Sequence, residues 1–417
     1  MGVVVMKFGG TSVADADRIR AAAQRAIRTF KRGHQVVMVV SAMGKTTDEL
    51  VALASQISHH PPKREMDQLM ACGEQISISL MAMALEEMGA KAISFTAGQI
   101  GMVTDDSHTK AKIKSIDVRR IRDQLGAGRI VIVAGFQGVT EQGHVTTLGR
   151  GGSNVSLVAI AAALDADVCE NYTDVDGIFT ADPNIVTNAR KISRISYDEM
   201  LELASLGAGV LHNRAVEFAK RYDVPIHVRS SLHNRRGTMI VAETESMERI
   251  VVSGAALKDK LARITLTGVP DHVGVVAEVF HTIAAHDIVV DDIIQTIANG
   301  HKATVSFTID LVDMPEAKLA VEKLCKGLKC KARFEEHLAK VSVVGMGMRI
   351  HTGVAKTMFA ALARAGINIQ NITTSEIKIS CLIGRQQGKE ALKVIHDAFG
   401  LGKRTTTGRK SSTSRRK

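Results

Sequence analysis

Aromatic residues are scarce in this chain of 417 residues: they make up 3% of the sequence, and Trp is absent. Hydrophobic residues nevertheless account for 45%, so aliphatic side chains and methionine must fill the core. A chain of this length can bury enough apolar surface for two or three domains.

Long apolar runs and a cysteine framework are also missing. No run reaches the roughly 18 residues of a membrane-spanning helix, and the pattern of a secretory signal does not open the chain. The five cysteines are scattered and odd in number, which is typical of reduced thiols. These absences predict a cytoplasmic protein without membrane contact. Cys325 and Cys330 have no second pair of metal ligands nearby, so we predict a structural role for both and no metal site.

Acidic residues are missing from the stretch 403–417, which holds seven Lys and Arg residues. The net charge of the whole chain is +11, so +4 remains for the rest. The stretch is rich in Ser, Thr and Gly and has no apolar residue, which predicts a disordered basic tail. Two interpretations stay open, a solvated tail and weak contact with nucleic acid or an acidic partner; the first is favoured, and we expect no nucleic-acid partner.

What is present begins with a strand and a glycine turn. The apolar run Val3–Phe8 is typical of a buried strand, and Gly9 and Gly10 let the backbone turn sharply and approach a ligand. We expect Ser12 to cap the following helix, whose N-terminus would suit phosphate, and Lys7 would add a positive charge. A purely structural glycine turn is the alternative, since the motif is neither a P-loop nor a GxGxxG fingerprint.

Strand-like runs and helical patterns alternate from residue 1 to about residue 245. This alternation predicts a layered α/β domain with a mostly parallel sheet. Ligands of such sheets bind at the carboxyl ends of the strands, and the polar clusters of this half fall mainly there. The strand candidates are residues 3–8, 36–41, 92–96, 130–136, 168–172 and 226–229.

Three of these clusters are candidate binding segments. The loop 41–47 follows a buried strand. Glu74 lies near the predicted first turn of a long helix, where it would either bind a ligand or offset the helix dipole. Arg150 stands among three glycines and can hold a carboxylate bidentately, with a simple glycine hairpin as the alternative. We expect Ser153 and Asn154 to cap the helix that follows.

An acidic turn comes directly after the strand candidate 168–172. The string 173–183 predicts nucleotide recognition, with Thr173 and Asp174 at the base and Asp182 near the ribose or phosphates. A calcium loop is the other formal option, but the spacing lacks the Glu of an EF-hand.

The C-terminal third holds an internal repeat at a constant offset of 79 residues. Each copy reads strand, glycine loop, helix and strand, and each is too small to bury its sheet alone, so the copies should pair. A purely structural repeat is one interpretation and a ligand-binding pair the other. The aligned residues are Gly268, Gly274, Val275, Phe280, Ile288 and Ile293 with Gly347, Gly353, Val354, Phe359, Ile367 and Ile372.

These motifs occur in the order found in aspartate kinases of the amino acid kinase family, which the chain resembles to about residue 400. The matching strings lie at 7–12, 149–153 and 173–183, and the repeat resembles tandem ACT domains. The resemblance implies a three-layer α/β/α amino acid kinase domain, two ferredoxin-like ACT domains and the basic tail. Their implied boundaries are 1–245, 262–335, 338–400 and 403–417.

The resemblance also implies a reaction, in which the γ-phosphoryl group of ATP moves to the side-chain carboxylate of L-aspartate. The product would be 4-phospho-L-aspartate, for lysine, threonine and methionine biosynthesis. Mg²⁺ would arrive with the nucleotide, lysine or threonine would act as effector at the ACT domains, and ACT pairing would build a homo-oligomer.

The resemblance assigns roles to individual residues. Lys7 and Asn154 would be catalytic, with Lys7 neutralising the transferred phosphoryl group and the Gly9 and Gly10 amides cradling it. The substrate residues would be Ser41, Thr47, Glu74, Arg150, Gly151, Gly152 and Ser153. The nucleotide residues would be Lys7, Phe8, Gly9, Gly10, Thr173, Asp174, Phe179 and Asp182. The effector residues would be Asp271, Gly274, Asn368 and Ile369.

Four positions depart from the family pattern. Asn154 replaces an acid, Gly209 a lysine, Asn213 a proline and Asn171 an apolar residue. A buried amide without partners costs ~1–3 kcal/mol. Two alternatives to an aspartate kinase therefore stay open: a kinase for another small acid, and a sensor that binds an amino acid but transfers phosphate poorly.

Overall fold

The computed structural model describes residues 2–207, 211–243, 250–298 and 302–402. Gly209 and the tail 403–417, on which the sequence supports predictions, lie outside these ranges. The chain divides into two compact units, Met1–Ile178 with Lys191–Ile250 and Phe179–Arg190 with Val251–Lys417. In the described ranges, no helix has both the length and the apolar character needed to cross a bilayer.

The first unit is built on an eight-stranded sheet in which only one pair of neighbouring strands is antiparallel. Its order is β10-β12-β11-β9-β1-β2-β6-β3, and β11 and β12 form the antiparallel pair. The strands are β1 (Val3–Phe8), β2 (Gln35–Val40), β3 (Ala92–Phe95), β6 (Ile130–Ala134), β9 (Val168–Thr173), β10 (Arg194–Ser196), β11 (Ile226–Ser230) and β12 (Thr238–Val241). All six predicted strands lie in this sheet, and the predicted mostly parallel arrangement is confirmed.

A smaller sheet of four short strands in the same unit was not predicted. Its order is β5-β4-β7-β8, and its strands are only two or three residues long, too short for a period-2 pattern to stand out. They are β4 (Val103–Thr104), β5 (Ile113–Ser115), β7 (Gln137–Val139) and β8 (Val145–Thr147).

Helices cover the large sheet. One core joins α1 and α3 to alternate side chains of β1, β2 and β6, while α5 packs against β1 and β9. The predicted layered α/β architecture is therefore confirmed. The helices are α1 (Ala16–Lys31), α2 (Thr46–Ile57), α3 (Lys63–Glu87), α4 (Arg119–Gly126), α5 (Gly152–Leu164), α6 (Tyr197–Ser205) and α7 (Asn213–Arg221).

Two helix starts differ from the predictions. The glycine turn leads first into a 3-10 turn, Gly10–Val13, and α1 is capped by Asp15, whose carboxylate accepts from the Arg18 N–H at 2.9 Å. Ser12 is therefore not the cap. The helix that carries Glu74 begins at Lys63, directly after Pro62, so Glu74 lies in its interior and cannot serve to offset the dipole of a first turn.

The second unit is a six-stranded antiparallel sheet with two helices for each copy of the repeat. The strand order is β14-β15-β13-β16-β18-β17, and β13 and β16 serve both copies. The glycines Gly274 and Gly353 begin equivalent helices with φ of 97° and 94°, which confirms the 79-residue repeat.

The elements of this unit are as follows. Its strands are β13 (Gly254–Pro270), β14 (Val290–Ala298), β15 (Lys302–Asp310), β16 (Lys331–Val344), β17 (Asn371–Ser375) and β18 (Lys378–Gly384). Its helices are α8 (Val275–Ala284), α9 (Met314–Leu328), α10 (Val354–Arg364) and α11 (Gly388–Ala398).

A buried lysine joins the two copies. Lys340 is 2% exposed, and its ammonium group lies 2.6 Å from Asp291 and 2.5 Å from Asp292. The Thr373 hydroxyl donates to Asp292 at 3.0 Å. Residues of β14, β16 and β17 thus share one ionic cluster.

The segment Phe179–Arg190 begins within the acidic turn 173–183 and belongs to the second unit, although the chain on both sides of it belongs to the first. Its apolar side chains, among them Val186, lie in the core of the second copy. Thr180 is 1% exposed; its hydroxyl donates to the Leu401 carbonyl at 3.1 Å and lies 3.0 Å from His396 Nε2. Thr180 thereby joins the segment to α11 and to Leu401, which also belong to the second unit.

Candidate active site

Lys7 is the second-last residue of β1 and lies beside Asn171 of β9 in the sheet register. Burial lowers the pKa of its ammonium group to about 8, and the negative charge of Asp174 acts in the opposite direction. A side chain at Gly9 would place its Cβ 3.3 Å from Lys7 Nζ, so the glycine leaves the ammonium group room. The Gly9 amide donates to the Tyr172 carbonyl at 3.3 Å and is not free to cradle phosphate as expected.

A cavity of about 600 Å³ lies in front of Lys7. All nine residues that the sequence assigned to substrate and catalysis line it, although they come from four separate segments of the chain. The predicted residues that line it are Lys7, Gly10, Ser41, Thr47, Glu74, Arg150, Gly151, Gly152, Ser153 and Asn154.

Glu74 lines this cavity and has one carboxylate oxygen without a described partner. The side chain is 2% exposed; Oε1 accepts from the Ala42 amide at 2.9 Å, and Oε2 has no hydrogen-bond partner among the described residues. Burial raises the pKa of Glu74 to about 7, against the opposing effect of the Ala42 bond. A buried carboxylate with one free oxygen is suited to bind a cation such as an ammonium group.

The loop before α5 places Arg150 at the cavity. Gly151 has φ of 71°, and a Cβ there would lie 2.4 Å from His212 Cβ, so only glycine fits. Arg150 is exposed and extends from this loop. The cap of α5 is Gly151, and Ser153 and Asn154 lie inside the helix without a capping bond, so the prediction that they cap it is wrong.

Asn154 is buried at the cavity wall, and its Oδ1 has no partner in the described chain. No hydrogen bond from Lys7 to this oxygen is therefore made in this structure. Asn171 is fully buried, and neither end of its amide is paired with a described residue. These two of the four departures from the family pattern thus place buried amide atoms in the first unit without a described hydrogen-bond partner.

A second buried carboxylate, Asp67, was missed by the sequence analysis. It lies seven residues before Glu74 on α3 and is fully buried. It accepts from the Thr109 amide at 3.0 and 3.1 Å and from the Thr147 hydroxyl at 2.5 Å, and it lies 2.7 Å from His108 Nδ1.

Asp67 thereby fixes two parts of the cavity wall, Thr109 and Thr147. The backbone of Thr109 is held at φ of 70°, a conformation that a branched residue adopts only under constraint. The one available signal in the sequence was the seven-residue spacing from Glu74, which puts both acids on one helix face. Their partners are too distant in sequence to be identified.

The predicted nucleotide residues do not all gather at this cavity. Phe8 is fully buried and stacks on Tyr172 with ring centroids 4.8 Å apart, so its side chain faces the core. Thr173 and Asp174 lie at the end of β9, joined by a bond of 3.0 Å. Phe179 and Asp182 lie in the second unit, and their role in nucleotide binding stays a prediction.

The predicted effector residues lie in two loops of the second unit. Asp271 and Gly274 precede α8, whereas Asn368 and Ile369 precede β17. The two pairs occupy different places in the repeat, and effector binding by them also stays a prediction.

Known protein families and relatives match nearly the whole chain. The family model of the amino acid kinase family matches residues 2–230, and models of ACT domains match residues 263–326 and 341–399. The chain is 53% identical to an aspartokinase of Geobacillus stearothermophilus, over 96% of this chain and 98% of that protein. It is 51% identical to aspartokinase 2 of Bacillus subtilis, over 97% and 99%.

Solved structures agree. The structure is similar to that of Escherichia coli aspartokinase III in complex with aspartate and ADP, with a TM-score of 0.80 and 27% identity, over 95% of this chain and 99% of that one. The same enzyme in complex with lysine and aspartate gives a TM-score of 0.76 at 28% identity, with the same coverage.

Proposed function

This chain belongs to the amino acid kinase family and is an aspartate kinase, and from that premise we propose that it makes 4-phospho-L-aspartate from L-aspartate and ATP. The step is an attack of one side-chain carboxylate oxygen on the γ-phosphorus, with ADP as the leaving group. We place it in the cytoplasm, at the start of lysine, threonine and methionine biosynthesis.

The observation that carries the proposal is the set of charges in the cavity. Arg150 offers a guanidinium group for the α-carboxylate, and the free Oε2 of Glu74 offers an acceptor for the ammonium group. L-Aspartate held at both of these ends directs its third charged group, the side-chain carboxylate, toward Lys7. Such a carboxylate is already ionised at neutral pH, so no general base is needed.

Lys7 supplies charge where the transition state needs it. Phosphoryl transfer depends on alignment and on stabilising the charge of the equatorial oxygens, and a buried ammonium group does this better than an exposed one. Mg²⁺, bound with the nucleotide, would neutralise the β- and γ-phosphates. The described part of the chain has no cluster of three or more His, Cys, Asp or Glu side chains for a metal, and an ion that keeps phosphate and water ligands fits such a site.

A coupled assay of ADP release tests the proposal. The full chain should release ADP with L-aspartate at a rate at least ~10-fold above that with L-glutamate or carbamate, since one extra methylene group costs ~1–3 kcal/mol in a fitted pocket. Equal ADP release without any acceptor would show an ATPase instead. Calorimetric binding of aspartate without ADP release would favour the sensor.

We also propose that an amino acid effector, lysine or threonine, binds the second unit and that the ACT domains pair in a homo-oligomer. Support comes from the repeat, from the two ACT matches and from the lysine complex of the E. coli neighbour. Lysine or threonine should lower turnover of the full chain, and Asp271→Ala or Asn368→Ala should weaken that effect without altering uninhibited turnover. Unchanged inhibition in both variants would place the effector elsewhere.

A further inference from the structure

Two cysteines meet at the end of α9. Lys329 turns the chain with φ of 52°, and the Cys330 amide then donates to the Cys325 carbonyl at 3.1 Å. This turn brings the two Sγ atoms to 3.2 Å, with the Cys330 thiol donating to Cys325. A disulfide has an S–S length of about 2.05 Å, so bond formation would need a closure of about 1.2 Å.

The two thiols differ in access. Cys325 is 8% exposed and lies in the core of the first copy; burial and the bond from Cys330 raise its pKa to about 12. Cys330 is only half-buried. An incoming reagent therefore reaches Cys330 first and finds Cys325 directly behind it.

The surroundings of the pair are positively charged. Lys326, Lys329 and Lys331 are all exposed and lie within four residues of one or both cysteines in sequence. Such a cluster raises the local concentration of anions at low ionic strength.

We propose that Cys325 and Cys330 form a reversible thiol–disulfide site whose oxidant is a small anionic disulfide of the glutathione class. The Cys330 thiolate attacks one sulfur of the oxidant, so a mixed disulfide forms and one glutathione thiolate leaves. The Cys325 sulfur then attacks Cys330 Sγ and passes its proton to the second departing glutathione. Two protein thiols are oxidised, and one oxidised glutathione is reduced to two thiols.

The new bond would tie the end of α9 to the start of β16. This strand pairs with β13 and β18, so it is common to both copies of the repeat, and it carries Lys340. Oxidation would act on the strand that contributes Lys340 to the ionic cluster of the two copies.

The test uses the full native chain and the probe oxidised glutathione. After alkylation of free thiols and cleavage at glutamate, residues 323–335 should form one peptide that is lighter by two hydrogens and carries no alkyl group. Reduction should restore both thiols. Cystamine, a cationic disulfide, should react about 10-fold more slowly at low salt, and the difference should vanish at high salt.

Three variants serve as controls. Cys72→Ser removes an exposed cysteine of the first unit and should leave the peptide result unchanged. Cys325→Ser should stop at the glutathione adduct on Cys330, and Cys330→Ser should remove both products. A wild-type chain that keeps a stable glutathione adduct on Cys330, or shows no reaction while Cys72 is fully modified, overturns the proposal. Equal rates with cystamine at low salt overturn the anionic class of the oxidant.

Discussion

Buried charges are arranged in opposite ways in the two compact units. In the second unit, the ammonium group of Lys340 has two carboxylate partners, and Asp292 accepts a further bond from Thr373. In the cavity of the first unit, Glu74 and Asn154 are comparably buried, yet each has an oxygen without a partner among the described residues. Since unpaired buried polar groups are costly, the comparison distinguishes a cluster that satisfies its charges from within from a cavity that leaves polar atoms for a ligand.

Removal of Lys340 should have the largest effect on stability. Lys340→Ala leaves the buried Asp292 carboxylate without its cation, and the free energy of unfolding of the second unit should fall by about 3 kcal/mol, the lower end for buried pairs because Asp291 is half exposed. Urea unfolding measures this. Lys258→Ala is the matched control, since Lys258 faces Lys340 in the register and makes a partly exposed pair with Asp310; it should cost at most ~1 kcal/mol. Equal losses of unfolding free energy in Lys340→Ala and Lys258→Ala would contradict the distinction between the buried and the partly exposed ion pair.

Removal of Lys7 should have a large effect on turnover and a small effect on stability, in contrast to removal of Lys340. Lys7→Ala should lower turnover by at least ~10²-fold, or ~2.7 kcal/mol, with little loss of stability because burial already disfavours the charged form. Steady-state kinetics and urea unfolding check both statements. Lys31→Ala, at the exposed end of α1, is the control. If Lys7→Ala keeps more than half of the turnover, the phosphoryl site is misplaced.

Stability should depend on pH through Glu74, because its buried charge is unpaired among the described residues. Its pKa is raised to about 7 in the folded chain, so the stability that this group contributes is complete below about pH 4 and is lost as the pH rises through 7. Glu74→Gln should therefore raise the Tm at pH 8 but raise the KM for aspartate by ~10-fold or more.

The pH profile of kcat/KM sharpens the same point, because it reports groups of the free enzyme. In the wild type it should fall below about pH 7 as Glu74 is protonated, and above about pH 8 as Lys7 loses its charge. Glu74→Gln should lack the acid limb only. If Glu74→Gln instead has a lower Tm than the wild type at pH 8, Oε2 of Glu74 already has a hydrogen-bond partner.

Asp67 lies in the first unit, but its carboxylate has hydrogen-bond partners. It therefore tests whether the effect of a substitution depends on these partners or on the unit in which the residue lies. In Asp67→Asn, one carboxylate oxygen becomes an NH2 group that faces a donor. The KM for aspartate should rise by about 10-fold, or ~1.4 kcal/mol, and the KM for ATP should change much less. Asp106→Asn alters an exposed residue of the same loop and serves as the control. Equal changes in both KM values would show a general loss of structure.

The smallest expected effect is that of Asn154→Asp. A carboxylate there would face the cavity beside Lys7, raise the pKa of Lys7 and move the basic limb of kcat/KM above pH 8. Turnover should rise by up to ~10-fold, or ~1.4 kcal/mol. If Asn154 has only a role in the helix, turnover and the basic limb both stay where they are.

Sequence reasoning succeeded where a pattern is local. The strand Val3–Phe8, its glycine turn and the repeated glycines Gly274 and Gly353 each depend on a few adjacent residues, and the structure has them as predicted. The local pattern marked the loop 41–47, Glu74 and Arg150 as candidate binding segments, and the family resemblance gave the individual residues their roles. These residues do line one cavity.

The failures arise from contacts between distant segments. The helix that carries Glu74 was expected to begin near that residue, but it begins at Lys63. Gly73 lies within α3 and lets the helix approach Ala42, because a Cβ there would lie 2.8 Å from Ala42 Cβ. Asp67 contacts residues that lie 41 to 80 positions away in the sequence. Asp291 and Asp292, which bind Lys340, precede it by about 50 positions. No periodicity within one element reports such pairings.

The segment Phe179–Arg190 has a consequence for the modularity of this chain. Since it belongs to the second unit while both its ends continue into the first, the second unit is discontinuous in sequence. A chimera that exchanges only residues after 250 would keep a native Val186 and Thr180 against a foreign core, and a truncation near residue 245 would expose them to water. A chimera that keeps the fold must therefore exchange the segment Phe179–Arg190 together with the residues after 250. The exchangeable part of this chain is a pair of segments and not a C-terminal domain.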